Sequence, residues 1–239
     1  MQNKRILITG ASSGIGRALA LKLAASGNEI VALARNPQKL KALVAENPAI
    51  ETIALDLADP QALRDFADNG WNGRLDVLIN NAGVQDQHRF DDPACSAEVM
   101  IEEATTNLVA PIVLTRALLP QLLEGKTGTV VNIVSALAFA PKDNAACYSA
   151  TKAGLKMFSA ALRAQFPPDR LRVLDIFPPL VATAMTKGRG KGKITPEAAA
   201  DAIIAALDGS GERALIGSAR VIAVLSAMVP GLATKLMSR

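Results

Sequence analysis

One histidine, one tyrosine, one tryptophan and two cysteines are all that 239 residues hold of those side chains. Each scarcity removes a class of chemistry. Cys95 and Cys147 make neither a disulfide framework nor a metal set, and are expected as free, partly buried thiols. The lone His88 lies in the polar stretch QDQHRFDD, where a solvated loop histidine is expected. With no His/Cys/carboxylate cluster in sight, a metal centre is not expected. Aromatics at 3% leave the core to Ala, Leu, Val and Ile, and deny a nucleic-acid partner the stacking rings it uses. No uninterrupted apolar run reaches the roughly 18 residues of a membrane span. The opening MQNKRILITG is too short in apolar residues for a secretory signal, which needs roughly 7–15 of them. A cytoplasmic location is the expectation.

Hydrophobic residues at 50% and charged residues at 20% fit a globular chain, and its length suits one well-buried core. The net charge is +4, from 26 basic and 22 acidic residues, and much of the excess sits in KGRGKGK at 187–193. Glycine alternating with cations fits a mobile loop, either a solvated connector or a lid that contacts an anion.

Apolar, branched runs recur along the chain at 5–9, 29–34, 50–55, 76–80, 129–135, 172–177 and 214–218. Most are apolar on both faces rather than alternating, as strands covered on both faces are. Between them lie segments such as GRALALKLAASG and PQKLKALVAE, with apolar residues three and four apart. Asp59 and Thr195 each precede a proline and mark helix starts. Strand–helix alternation predicts a single α/β domain: a doubly wound parallel sheet of the Rossmann type, about seven strands, helices on both faces. There is no internal repeat or linker.

The first strand runs into TGASSGIGRALA, with Gly10, Gly14 and Gly16 where a chain must turn, expose bare backbone and start a helix. Small residues there let a pyrophosphate approach, and the helix beginning near Ile15 aims unpaired amides at it. The Gly-x3-Gly-x-Gly spacing departs from the general G-x-G-x-x-G fingerprint. At the end of the second strand, 18 residues after Gly16, stands Ala34 followed by Arg35, where an acid would hold a ribose 2′-hydroxyl. A guanidinium pairs instead with a 2′-phosphate, which favours NADP(H) over NAD(H).

The one tyrosine, Tyr148, is followed four residues later by Lys152 in CYSATKAG. On a helix the two share a face. A phenol titrates at about 10, and lowering that by about three units takes about 4 kcal/mol. An ammonium ~4 Å away supplies about 1 kcal/mol in water and nearer 4 in a partly dry cleft. The pair is expected to depress the Tyr148 pKa and make it a general acid or base toward a carbonyl or alcohol.

The ordered set TGASSGIG, NNAG at 80–83, Ser135 closing VVNIVS, and Tyr148-x3-Lys152 resembles the short-chain dehydrogenase/reductase family over residues 4–186. The resemblance implies an NADP(H)-dependent oxidoreductase that moves a hydride between nicotinamide and a carbonyl or secondary alcohol. It implies catalytic roles for Ser135, Tyr148, Lys152 and Asn107: Ser135 orienting the substrate oxygen, Asn107 positioning a water near the lysine. Lys152 would also hold the nicotinamide ribose. Cofactor contacts fall to Gly10, Ser12, Ser13, Gly14, Ile15 and Gly16 in the turn, to Arg35, and to Asp56 and Leu57 after the third strand. Asn81, Ala82 and Gly83 would line the adenosine side, and Pro178, Val181 and Thr183 the carboxamide. Two departures are Pro178-Pro179 where the family shows Pro-Gly, and Ser13 where many NADP-using relatives carry a basic residue. Segment 180–195 resembles the family's mobile substrate-covering loop, and a homodimer or homotetramer is implied. The apolar tail 220–239 is expected to pack against the protein or another subunit. Alternatives are a 3-oxoacyl-carrier-protein reductase, with Lys187, Arg189, Lys191 and Lys193 meeting the carrier, and a catalytically idle NADP-sensing or scaffold protein.

Overall fold

Residues 1–125 and 127–238 are described by a computed structural model. Seven parallel strands form one sheet in the order β3-β2-β1-β4-β5-β6-β7. They are β1 (Arg5–Thr9), β2 (Glu29–Ala34), β3 (Glu51–Ala54), β4 (Val77–Asn80), β5 (Gly128–Ile133), β6 (Leu171–Phe177) and β7 (Arg213–Leu215). The fold is therefore the anticipated doubly wound α/β domain. Most strand ends fall within one residue of the expected ranges, and two end earlier. β5 stops at Ile133, leaving Ser135 outside it, and β7 stops at Leu215, short of the expected 218. In both cases the chain turns into a helix: a short 3-10 turn at Ala136–Ala138, and α8 (Ala219–Met228).

Alternate residues of the central strands enter different cores, which is why those strands are apolar on both faces. Ile6 and Ile8 of β1 join Val77 and Ile79 of β4 on one face, against Leu19 and Leu23 of α1 (Gly14–Ala25) and Ile203 of α7 (Pro196–Asp208). Leu7 and Leu78 face the other way, toward Leu114, Leu118 and Leu122 of α5 (Ala110–Glu124). Fully burying one such aliphatic side chain stabilises by about 1.5–3 kcal/mol.

The remaining helices are α2 (Pro37–Glu46), α3 (Pro60–Asn69), α4 (Ala97–Ala104), α6 (Ala146–Gln165) and α9 (Pro230–Met237). The predicted caps form: Asp59 accepts the amides of Gln61 and Ala62, and Thr195 that of Ala198. Asn36 caps α2 through the amide of Lys39. A five-residue π segment, Thr105–Val109, joins α4 to α5, so Ala97–Glu124 is one continuous 28-residue helix. Its mean hydropathy of 1.3 over the best window would suit a membrane. Here that apolar content serves the core through Ala110, Leu114 and Leu118.

Where the strand order reverses, between β1 and β4, the carboxyl ends of the strands open a crevice, the usual ligand position in such sheets. Thr9, at the end of β1, braces this opening. Its Oγ1 accepts the amides of Asn81 at 3.0 Å and Ala82 at 2.9 Å, pinning the turn after β4 to the first strand.

Candidate active site

The crevice is a cavity of about 690 Å³ that runs across the strand ends. Gly10, Ser12, Ser13, Gly14 and Ile15 line it after β1; Arg35 after β2; Asp56 and Leu57 after β3; Asn81, Ala82 and Gly83 after β4. Ser135, Tyr148 and Lys152 line its central part, and Pro178, Val181 and Thr183 its far wall. The elements thus bring nearly all the sequence-selected residues together. Two do not line it.

Gly16 is the first. A Cβ there would lie 2.4 Å from Asn81 Nδ2 and 2.5 Å from the Gly10 carbonyl oxygen, so this glycine permits the close approach of α1 to the turn. Gly14 does face the cavity, with φ of +52°, and a Cβ on it would come 3.0 Å from Thr183 Cγ2. Bare backbone and the start of a twelve-residue helix, whose Ser13 cap makes no side-chain bond, leave amides directed into the cavity. A pyrophosphate suits this cradle of small residues at a helix start.

The second is Asn107, fully buried in the π segment. Its amide forms a reciprocal clamp with Val84: Oδ1 accepts the Val84 N–H at 2.9 Å, and Nδ2 donates to the Val84 carbonyl at 2.8 Å. The side chain is therefore occupied with this backbone and, through Nδ2, with Thr151 Oγ1 at 3.4 Å. A Cβ on Gly83 would lie 3.2 Å from Asn107 Oδ1 and 3.7 Å from Lys152 Nζ, so the absent side chain keeps the gap between them open.

Tyr148 and Lys152 lie on one face of α6, both nearly excluded from solvent, with Nζ 5.6 Å from the phenol ring centroid. The expected depression of the Tyr148 pKa is not what the protein does. Burial pushes the phenol up to about 12, and the nearby Glu103 carboxylate adds to this, while Ser135 and Arg189 pull it partly back. The lysine ammonium is spent elsewhere, donating to the Ile133 carbonyl at 2.9 Å. Burial lowers Lys152 to about 8, with Glu103 opposing. Desolvation wins over the pairwise attraction because both charged forms are held in the same dry pocket.

Ser135 sits at the mouth of the 3-10 turn, its Oγ accepting the Leu137 amide at 3.1 Å. Arg35 is exposed and pairs with Glu102 of α4 at 3.1 Å. The Pro178-Pro179 step contains no cis bond; Pro179 lies against Gly217, where a Cβ would come 3.5 Å from its ring. The segment beyond it is tied back by Ala182 N–H to Ile194 O at 2.8 Å and Ile194 N–H to Leu180 O at 3.1 Å. Of the four cations placed against a carrier protein, Arg189 instead points inward to Gln85, and Lys193 donates to the Thr186 carbonyl within the loop. His88 is in a loop as expected, between Asp86 and Asp92 at 2.9 and 3.3 Å.

Several lining residues had no signal in the sequence reading. Asn36 and Lys39 flank Arg35 at the adenosine end. The cap-and-cation pattern RNPQK could have pointed to them. Ile222 and Met237 reach the cavity from the C-terminal helices, which periodicity alone cannot place. Buried Glu103 and the thiol of Cys147 form a second small cluster behind Tyr148. Burial raises both groups, Cys147 to about 11, and Glu103 also accepts the Asp86 amide at 3.2 Å.

The short chain dehydrogenase family profile matches residues 4–193. An uncharacterised oxidoreductase of Bacillus subtilis, DltE, is 35% identical over 199 residues, covering 82% of this chain and 79% of that protein. The L-xylulose reductase of Mesocricetus auratus is 32% identical over 186 residues, 77% of this chain and 75% of that one. Among solved structures, a short-chain dehydrogenase from Sphingobium yanoikuyae in complex with NADPH is 30% identical, with a TM-score of 0.83 over 96% of this chain and 94% of that one. One from Burkholderia cenocepacia in complex with NADP gives a TM-score of 0.86 at 26% identity, over 99% and 98% of the two chains. With the glycine turn, the strand order and the Tyr148–Lys152 pair on one cleft, this chain belongs to the short-chain dehydrogenase/reductase family of nicotinamide-dependent enzymes.

Proposed function

We propose that this enzyme is an NADP(H)-dependent carbonyl reductase/alcohol dehydrogenase in which Tyr148 is the general acid/base. The observation that carries this is the burial of a phenol and an ammonium on one helix face, beside a cavity whose other end is lined by the turn at 10–15. The nicotinamide, when bound, supplies or takes up the hydride. The protein's own part is to bind, to orient and to move one proton.

Ser135 and Tyr148 present hydroxyls to a carbonyl oxygen from the same wall. A phenol held near 12 stays protonated at neutral pH, which is the state reduction requires. It remains a far stronger acid than an aliphatic alcohol, so delivering the proton to a forming alkoxide runs downhill. Lys152 then stabilises the phenolate that remains. Asn107 holds the Val84 backbone beside that lysine and borders the gap at Gly83 through which solvent would return the proton. Segment 180–195, with left-handed glycines at 188, 190 and 192, is read as a mobile cover.

NADP(H) preference rests on Arg35 and on Lys39 beside it. The Arg35–Glu102 pair is more than half exposed on the arginine side, so it contributes about 0–1 kcal/mol. A charge-assisted contact to a 2′-phosphate contributes about 1.5–3 kcal/mol, enough to draw the guanidinium away. The solved relatives with NADP or NADPH bound are consistent with this choice. Exposed Ile101, Val109, Ile112 and Met157 on the α4–α5 helix and α6 support a homo-oligomer joined along those helices.

Tyr148→Phe tests the reading. Turnover of carbonyl substrates should fall by about 10²–10⁴-fold while NADPH binding, followed by its fluorescence, stays near wild type. Undiminished turnover in that variant would remove Tyr148 from the mechanism.

A further inference from the structure

The charge inside the cavity is one-sided. Five cationic side chains line it among the described residues, Arg35, Lys39, Lys142, Lys152 and Arg189, against a single acid, Asp56. Three of these six belong to the adenosine end: Arg35 and Lys39 flank the α2 cap and Asp56 follows β3. Lys152 stands with the catalytic phenol. Lys142 and Arg189 remain, and both belong to the substrate end. Lys142 lies in the connection between the Ser135 turn and the Tyr148 helix. Arg189 comes from the loop that covers the cleft.

Neither of these two cations is satisfied by a carboxylate. No described salt bridge includes them. Arg189 is half-buried, and its guanidinium donates only to neutral acceptors, the Gln85 side-chain oxygen at 3.2 Å and the Gln85 carbonyl at 3.3 Å. It is close enough to Tyr148 for its charge to lower that phenol's pKa. Glu103, the nearest acid to the phenol, acts from behind it and does not line the cavity; burial also favours its neutral form. An uncompensated guanidinium in a partly desolvated cleft is a costly arrangement that an anionic ligand relieves. Leu137, Leu180 and Met237 supply the intervening apolar wall.

We infer that the substrate is a carbonyl compound carrying an anionic group, a carboxylate or phosphate, on an apolar body, with Arg189 as the specificity-determining residue and Lys142 assisting it. This rests on the carbonyl-reductase reading above. Hydride still goes to the carbonyl carbon and the proton from Tyr148 to its oxygen; the anion is bound and does not react. Gln85 holds the guanidinium at the cleft wall through two neutral acceptors, from which an anion can draw it, so that the covering loop and the anion close on one another.

The experiment compares matched pairs of medium-chain oxo acids and their methyl esters as substrates of the intact enzyme with NADPH. An equivalent phosphate-bearing ketone separates the two anion sources. Wild type is expected to favour the anionic member by about 10- to 100-fold in kcat/KM, the size of one charge-assisted contact. Arg189→Met should bring that ratio to near unity, Arg189→Lys should retain part of it, and Lys142→Met should reduce it less. NADPH binding by each variant controls for folding. A wild-type ratio at or below one overturns the inference with no variant needed, as does a ratio unchanged in Arg189→Met. Brisk turnover of the esters alongside such a result leaves the reductase reading intact, whereas no hydride transfer to any member of the set removes both.

Discussion

Replacing Lys152 by Met removes a charge that the fold holds at a cost. The ammonium is 3% exposed, and its pKa falls from 10.5 to about 8 on burial. That difference corresponds to about 3 kcal/mol of penalty on the charged form. Because the folded pKa lies below the unfolded one, the unfolded chain binds more protons between about pH 8 and 10.5. Wild-type stability therefore carries the full penalty below pH 8 and gains as pH rises through that window. Lys152→Met has no such gain. It also leaves the Ile133 carbonyl without its 2.9 Å donor, a loss of about 1–3 kcal/mol that does not depend on pH. Absolute stabilities of the two proteins at pH 7 can thus lie close together, and the informative quantity is their difference against pH. Urea unfolding of the cofactor-free proteins from pH 7 to 10.5 should show wild type gaining about 3 kcal/mol relative to the variant. Titration of Tyr148, raised to about 12, begins to matter only above its ordinary value of 10 and is common to both proteins. Parallel stability profiles for the two would refute the claim that desolvation governs this lysine.

Two further outcomes bear on the cofactor. Arg35→Ala should raise KM for NADPH by about 10- to 100-fold and leave that for NADH nearly unchanged, since only the 2′-phosphate contact is lost; equal effects on both would move the discrimination to another residue. Gly14→Val places a side chain in left-handed backbone and against Thr183, and should weaken NADPH by more than tenfold in a fluorescence titration while the protein still unfolds cooperatively. Unaltered affinity would mean that the pyrophosphate does not lie at this turn.

The fold was legible because its signals are local and repeated. Strands with consecutive apolar residues, as in RILIT and VLIN, state that both faces are covered, and Asp59-Pro60 and Thr195-Pro196 mark helix starts by cap chemistry alone. The site was legible where a motif sits at a strand end, since topology then delivers it to the crevice; Gly10, Asn81, Ser135 and Pro178 all follow this rule. The pKa of Tyr148 was not legible. Spacing told that Lys152 shares its face, but the balance turns on how dry the pocket is and on a carbonyl 19 positions away that claims the ammonium. Glu103 escaped notice for the same reason: an acid in EVMIEEA reads as helix surface, and only packing against Cys147 and Asp86 reveals that it is buried. Likewise Arg189, one cation among several in a glycine-rich run, acquires meaning only when Gln85, 104 positions away, turns it inward.

The central claim is that this cleft delivers a hydride from nicotinamide to a carbonyl carbon while Tyr148 delivers the proton. Turnover with NADPH deuterated at the transferring position of the nicotinamide, followed by mass spectrometry of the alcohol formed, tests it most directly. The account predicts one deuterium on the carbinol carbon in wild type and essentially no labelled alcohol from Tyr148→Phe. Alcohol formed without the label, or labelled product made equally well by the variant, would contradict it.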